Sequence, residues 1–593
     1  MLSGVAFRRM SSDSDRIIPE FVNQFILTDL YLSKKTTTVS SPIMPSITTL
    51  VNPLSSLLRI TLSVLRAMFL VLLSHLPGSQ QTIKRISVAN TSILSHDRRA
   101  LATCESGPPI RVQLPSLDTV GWFDGVQAEG EQQDFESQLP GLRFGGNGAL
   151  SFLKEWTTGH PKVDNKTGEM LLYHNTFLPP FVHYSVIPSN GSKKGNIPKL
   201  INQPVAGVSG ARMMHDFGAS LTHTIIMDLP LSLDPLNLLR NKEVVSYDIS
   251  KPSRFGIFSR YKPYDVQWFI GPACCIFHTA NTWNTIVEDE VLSVNLLACR
   301  MTSATLIYSA GNIAPSTISP NESQSTDLEK HAGAPSIVPD DYSTHNTEDK
   351  DQCRLYYYEF DISNKTQNNM LHQWALSAMP FEFPSVRPDR EMSEARYVYS
   401  CSTSSSCFGT ALGKAVKIDV LVKMDVINLI QKGKEMNMAP VTGRVDGRTV
   451  GEILEKRRGE DPIQLFRLPH NHFAQEPRFV PASYPCDEDA GYLLFYVFDE
   501  SQLTEYGDCP DSAVSELWIL DAKNMQHVVA KITLPQRVPY GLHGTWFSGS
   551  DIEKQREVKI FRSLEGLQTR KQQWVRVWRA WARWRDFLEK AAG

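Results

Sequence analysis

The sequence predicts an all-β domain, a propeller or a large sandwich, and three observations carry that expectation. Between about residue 85 and residue 550, short runs rich in β-branched and aromatic residues recur, with Gly, Pro, Asp and Asn between them. Convincing long amphipathic helices are rare over the same span. The strands are too many for one small sandwich, while no repeat of fixed period shows that would number the blades.

The elements follow in chain order. Residues 1–50 are polar, rich in Ser and Thr and weakly patterned, which predicts a poorly ordered segment. Residues 51–80 are apolar. The stretch 54–76 is interrupted by Arg59 and Arg66, so it fits a helix lying in a membrane interface better than a span, with a buried core helix as the alternative. The β domain is expected over 81–552. Its strand-like runs include Ile86-Ser-Val-Ala-Asn-Thr-Ser-Ile-Leu, Ala100-Leu-Ala-Thr-Cys, Met170-Leu-Leu-Tyr, Val266-Gln-Trp-Phe-Ile, Leu355-Tyr-Tyr-Tyr-Glu-Phe and Tyr492-Leu-Leu-Phe-Tyr-Val-Phe. Inside it, 310–352 reads as a low-complexity loop insertion. The segment 553–593 reads as a helical tail. Its interleaved Trp and Arg residues suit a membrane, a nucleic acid or packing on the domain itself.

Composition excludes several classes. The chain has 593 residues, 41% hydrophobic and 21% charged, with a net charge of -3. No basic face argues for nucleic acid as a partner. Nine cysteines, an odd count without a CxxC pair, disfavour a thiolate zinc site or a disulfide framework. The N-terminus carries Arg8 and Arg9 but no apolar core or small-residue cleavage site, so no signal peptide is predicted. The expected location is cytoplasmic, with peripheral attachment to membrane through 54–76.

Four of the fifteen histidines stand in distinctive surroundings. His160 lies in Thr-Gly-His-Pro-Lys-Val-Asp, His215 in Met-Met-His-Asp-Phe-Gly, His278 in Ile-Phe-His-Thr-Ala-Asn-Thr-Trp and His543 in Gly-Leu-His-Gly-Thr-Trp. Each has Gly, Pro or Asn within three residues, where the backbone can turn. Neutral imidazoles suit iron, copper, zinc or nickel, and a set without thiolate disfavours structural zinc. HExxH is absent, which argues against a zinc hydrolase. His223, His470 and His472 match no such pattern.

Taken with Leu101-Ala-Thr-Cys-Glu-Ser-Gly-Pro-Pro, Phe381-Glu-Phe-Pro and Gln475-Glu-Pro-Arg-Phe-Val-Pro, these segments resemble the carotenoid oxygenase family, in family order, over roughly 85–550. The resemblance implies a seven-bladed β-propeller, with short helices and loops capping the face of the iron site. It implies Fe(2+) held by His160, His215, His278 and His543, with no catalytic residue beyond that centre. By motif position, Glu105, Glu382 and Glu476 support His215, His278 and His543, and His160 has no carboxylate. The implied reaction cleaves a C=C bond of a carotenoid or apocarotenoid with O2. The segments around Ile86 and Cys104 look most like the fungal branch, with torulene or β-carotene as the type of substrate. Residues 1–50 look unrelated to the family, whose early Arg-Asn-Gly-Pro and Phe-Asp-Gly-Asp-Gly-Met segments are missing. Two further readings stand beside this one: a carotenoid-binding propeller without turnover, its N-terminal blade defective, and a stilbene-type dioxygenase.

Overall fold

The computed structural model describes residues 1–9, 16–36, 69, 84–131, 143–146, 154–189, 199–233, 245–301, 352–365, 367–404, 417–456, 460–482, 487–541 and 543–564. Among them, strands dominate, and the few helices are short. Six sheets follow one another along the chain. The first joins Ser92–His96, Arg99–Thr103, Ile110–Gln113 and Asp118–Trp122. The second joins Lys162–Val163, Met170–Asn175, Val182–Ile187 and Leu200–Pro204, and the third Gly218–Ala219, His223–Asp228, Ser253–Ser259 and Gln267–Gly271. The fourth joins Cys275–Val287, Glu290–Met301, Arg354–Asp361 and Met370–Ser377, with Arg444–Asp446 added in parallel. The fifth joins Glu382–Val386, Tyr397–Ser402, Val420–Asp425 and Ile463–Arg467. In the sixth, His472–Ala474 and Arg478–Pro481 both pair with Gly491–Asp499, followed by Ser515–Asp521 and Val528–Thr533.

Alternation along the strands explains how the sheets stack. Side chains of a strand point to opposite faces with period two. In the fourth sheet, Val294, Leu296, Ala298, Tyr356, Tyr358 and Phe360 pack against Ile225, Phe255 and Phe269 of the third. The intervening Leu297, Cys299, Leu355 and Tyr357 pack against Val398, Val420 and Val422 of the fifth. Both faces are buried, so these strands read as nearly continuous apolar runs. Similar cores join the first to the second sheet, the second to the third and the fifth to the sixth. Tight turns keep the strands short. Asp97–Arg98 and Glu288–Asp289 are two-residue hairpins with φ of 48° and 62°, and of 50° and 65°, the left-handed pair that matches strand twist.

Sheets stacked face to face in a ring make a propeller. Strands of the third to sixth sheets touch in succession: Gly218–Ala219 meets Cys275–Val287, which meets Glu382–Val386, which meets Arg478–Pro481. These strands surround the axis.

The ring closes differently from the expectation. Among the described residues there are six sheets of four or five strands, not the seven blades implied by the resemblance. The gap between sixth and first is filled by the hairpin Leu2–Arg9/Ile17–Gln24. Val5, Phe7 and Phe21 pack on Leu517, Leu534 and Val538 of the sixth sheet and the segment after it, and Leu2 and Val22 on Ala100 and Val112 of the first. Two strands are all the described N-terminus supplies there. Part of the segment read as poorly ordered is therefore paired, because its few apolar residues alternate onto two neighbouring sheets.

The tail expected to be helical from 553 is irregular over 554–563. Arg556 binds Asp97 at 2.7 Å, and Arg562 binds Asp29 at 2.6 Å and Glu129 at 2.5 Å. These ion pairs draw the chain along the rim of the first sheet rather than into a helix. The apolar stretch 54–76 (Phe69 excepted), the insertion at 310–352 (Gln352 excepted) and the tail beyond 564 lie outside the described residues. Among the described residues no helix is long and apolar enough to cross a membrane.

Candidate metal centre

The four histidines come from four places around the axis. His160 and His215 lie just before the two-residue strands Lys162–Val163 and Gly218–Ala219. His278 lies within Cys275–Val287, and His543 lies on an irregular segment after the last sheet. One ring nitrogen from each falls within 4.8 Å of the others. The His160 and His215 Nε2 atoms are 3.0 Å apart. The His160 ring centroid is 4.6 Å from those of His215 and His543 and 5.1 Å from that of His278. Among the described residues, this is the group of potential ligands that converges in this way, and His223, His470 and His472 are not in it.

Three carboxylates stand behind three of the rings. Glu105 Oε1 lies 2.6 Å from His215 Nδ1, Glu382 Oε2 2.7 Å from His278 Nδ1 and Glu476 Oε1 3.2 Å from His543 Nδ1. An Nδ1–H given to a carboxylate fixes the tautomer and leaves the Nε2 lone pair aimed at the centre. The Nε2 atoms of His278 and His543 are buried and have no hydrogen-bond partner among the described residues. Such orphaned acceptors are costly unless something else binds them. Nitrogens about 2 Å from one ion lie at most about 4 Å apart, close to the spacing found. The donor set therefore fits a metal ion. His160 is held through its backbone, its N–H donating to Thr158 Oγ1 at 3.0 Å.

The electrostatics favour neutral imidazoles at two positions. Burial, then the neighbouring His215, His543 and His278, hold the His160 pKa well below the usual histidine range. Burial also lowers His543, with Glu476 opposing it in part. For His278 burial acts downward as well, but the Glu382 carboxylate, together with Asp216 and Glu476, outweighs it and the pKa is raised. As pH falls, His278 therefore takes up its proton earlier than the other two. Burial pushes the Glu105 carboxyl up, yet its contact with His215 brings it down to about 2.

Local backbone devices aim these groups. The strand carrying His278 shifts register between Ile276 and Thr279 and again between Thr279 and Asn281. Such irregularities re-aim side chains at sites. Phe383, between Glu382 and Pro384, has φ 56°, and its N–H donates to Glu382 Oε2 at 2.5 Å. A bulky residue in that region is strained. The strain coincides with a shift in register between Glu382 and Ser385 that turns the carboxylate toward His278. The Phe383 ring lies 5.4 Å from His278 and 5.7 Å from His543, and Phe277 lies 5.5 Å from His215. Sequence reading missed both phenylalanines as parts of the site. The signal available was their adjacency to Glu382 and His278.

Gly159 allows the close approach of two chains. A Cβ there would lie 2.7 Å from Thr91 Cγ2 and 3.0 Å from Glu105 Oε1. Gly159→Ala should displace Glu105 from His215 and weaken metal binding about tenfold, the low end for loss of a supporting carboxylate. Titration of the metal-free protein with Co(II) checks this, and wild-type affinity would count against a role for that carboxylate.

The sequence matches the family model described as retinal pigment epithelial membrane protein over residues 1–548. The chain belongs to this family, that of the carotenoid cleavage dioxygenases. As a member it is a dioxygenase. It is 63% identical to carotenoid dioxygenase carX of Gibberella fujikuroi, over the whole of this chain and 88% of that protein. It is 29% identical to carotenoid 9,10(9',10')-cleavage dioxygenase 1 of Pisum sativum, over 79% of this chain and 68% of that one. Among solved structures, a mutant of Synechocystis ACO superimposes with a TM-score of 0.55 at 18% identity, over 92% of this chain and 87% of that chain. Lignostilbene dioxygenase of Pseudomonas brassicacearum does so with a TM-score of 0.52 at 18% identity, over 80% and 79%. The family match begins at residue 1, so the first 50 residues, which looked unrelated to the family, belong to the matched region.

Proposed function

We propose that the chain is an Fe(II)-dependent dioxygenase that cleaves one C=C bond of a carotenoid or apocarotenoid, torulene or β-carotene in type. The observation that carries this reading is the convergence of the ring nitrogens of His160, His215, His278 and His543, three of the rings backed by Glu105, Glu382 and Glu476. When bound, the reduced metal supplies the activation of O2, which reacts slowly with a closed-shell alkene by itself. Everything else falls to the protein. As ligands the four imidazoles would donate in their neutral form, and the carboxylates stand one residue further out, where Glu382 and Glu476 hydrogen-bond to the Nδ1 atoms of His278 and His543 and Glu105 lies 2.6 Å from that of His215. Phe277 and Phe383 put apolar surface beside His215, His278 and His543, suited to a polyene and unfavourable to water. Holding one double bond of a long chain over the centre is then a matter of orientation.

The balance of the reaction is one alkene and one O2 giving two carbonyl fragments, one oxygen atom in each. Turnover of β-carotene or torulene under 18O2, with rapid trapping of the aldehydes, should label both fragments. Label arriving from water alone would overturn the dioxygenase assignment.

The substrate is held in membranes, and residues 54–76 offer the apolar sequence, interrupted by Arg59 and Arg66, for peripheral contact with one. Flotation with phospholipid vesicles should recover the full chain and lose the variant lacking 54–76. Equal recovery of the two would remove that role.

A further inference from the structure

Three residues just downstream of three of the histidines meet in one cluster, with Asp216 and Thr279 buried and Lys162 partly exposed. Lys162 follows His160 by two positions, Asp216 follows His215 by one, and Thr279 follows His278 by one. Lys162 Nζ lies 2.8 Å from Asp216 Oδ1 and donates to Thr279 Oγ1 at 3.2 Å. The Thr279 N–H and hydroxyl both reach Asp216 Oδ2 at 2.8 Å, and the Phe217 N–H reaches Oδ1 at 2.8 Å. Asp216 is 1% exposed. Its oxygens are fully committed to these donors, so it is no ligand, although it adjoins one.

We infer that Asp216 is a positioning residue of the metal centre: neutralised by Lys162, it locks together the three chain segments that present His160, His215 and His278. This rests on the four-histidine reading above.

The strand ladders cannot do this alone. The segments after His160 and His215 pair over only two residues each, Lys162–Val163 and Gly218–Ala219. The ladder at His278 is interrupted on either side of Thr279. Each segment also comes from a different sheet, and loose supports of this kind let ligands drift from a shared centre. Thr158 makes a second tie, its hydroxyl accepting from the His160 N–H at 3.0 Å and donating to the His215 carbonyl at 3.1 Å. That tie joins two of the three histidine segments. Asp216 brings in the third, through both the backbone and the side chain of Thr279. A buried carboxylate also needs its countercharge, which makes Lys162 part of the same device.

The test uses the full chain, purified metal-free, with Co(II) as probe. Affinity and the visible d–d spectrum are read together, beside far-ultraviolet circular dichroism as a check of folding. Wild type should bind one Co(II). Asp216→Asn keeps an acceptor for Thr279 but loses the ion pair, and should bind about tenfold more weakly with altered d–d bands. Lys162→Met should be weaker again, because it leaves a buried charge unpaired. Adding Asp216→Asn to Lys162→Met should restore part of the affinity, a rescue that simple loss of packing would not give. Thr279→Val removes one hydroxyl and retains the N–H, and should shift the same bands by less. If Asp216→Asn does not fold, Thr279→Val decides. Wild-type affinity and spectrum in the folded variants would overturn the inference. Failure of the wild type to bind Co(II) would instead overturn the four-histidine reading.

Discussion

His278→Ala should abolish cleavage and leave the purified protein without stoichiometric metal. Of the four histidines, His278 is the one that lies within a strand. It sits in Cys275–Val287, touches Glu382 Oε2 at 2.7 Å and is 8% exposed. Its removal takes away one of four donors and leaves the Glu382 carboxylate without that imidazole in a site of 1% exposure. The ring converges with three others at one centre, so the loss should fall on metal content more than on the fold. Glu382→Gln provides the graded comparison. It keeps a group of similar shape and an oxygen for Nδ1–H while removing the charge. Loss of a supporting carboxylate typically weakens metal binding or activity about 10–100-fold, so this variant should retain metal under saturating Fe(II) and remain slow. Metal analysis after anaerobic loading, with activity assays on the same samples, separates the two. Stoichiometric iron retained by His278→Ala would remove His278 from the ligand set.

Most of the β architecture was legible, because strands buried on both faces leave a strong local record. Leu355-Tyr-Tyr-Tyr-Glu-Phe lies between two sheets, and its alternate residues enter separate cores. The strand expected from Ile86 instead begins at Ser92, after Ala89 leaves the extended region with φ 49°, a turn that a residue with no special preference for it does not announce. The number of sheets was not legible from pattern, since closure depends on contacts between the hairpin at 2–24 and sheets formed by residues about 90 and about 500 positions later. At the site, the four histidines and three glutamates named from motifs converge in space. Asp216 and Lys162 were in plain view beside His215 and His160. Their pairing depends on how two sheets abut, which spacing along one chain does not encode. Irregular backbone was the least legible feature. The left-handed Phe383 is held by its surroundings against its own preference.

Arg260→Met should cost roughly 3–5 kcal/mol of stability at neutral pH, the usual penalty for stripping one partner from a buried ion pair. Arg260 is 2% exposed. Its guanidinium binds Asp164 at 2.7 Å and Glu169 at 2.8 Å in the second sheet, and donates to the Ser220 carbonyl at 2.8 Å in the third. The change would leave two carboxylates buried at the seam that also carries His160 and His215. The dependence on pH follows from Asp164. Burial raises its pKa, but hydrogen bonds from Arg260 and nearby backbone, with the Arg260 charge, lower it further, so the net shift is downward. A carboxyl depressed in the folded state contributes stability above its unfolded value, about 3.9, and that contribution is lost as pH falls through the folded value. Without Arg260, burial is opposed only by the backbone hydrogen bonds from Lys166 and Thr167, and the folded pKa moves upward. The penalty is then largest at neutral pH and fades as the carboxyl protonates on the way down to about pH 4. Denaturant melts of both proteins should therefore lie far apart at about pH 7 and draw together near about pH 4.5. A constant gap across that range would mean that lost packing, not unpaired charge, sets the cost, and would deny this ion pair its part in holding the second and third sheets in register at the metal centre.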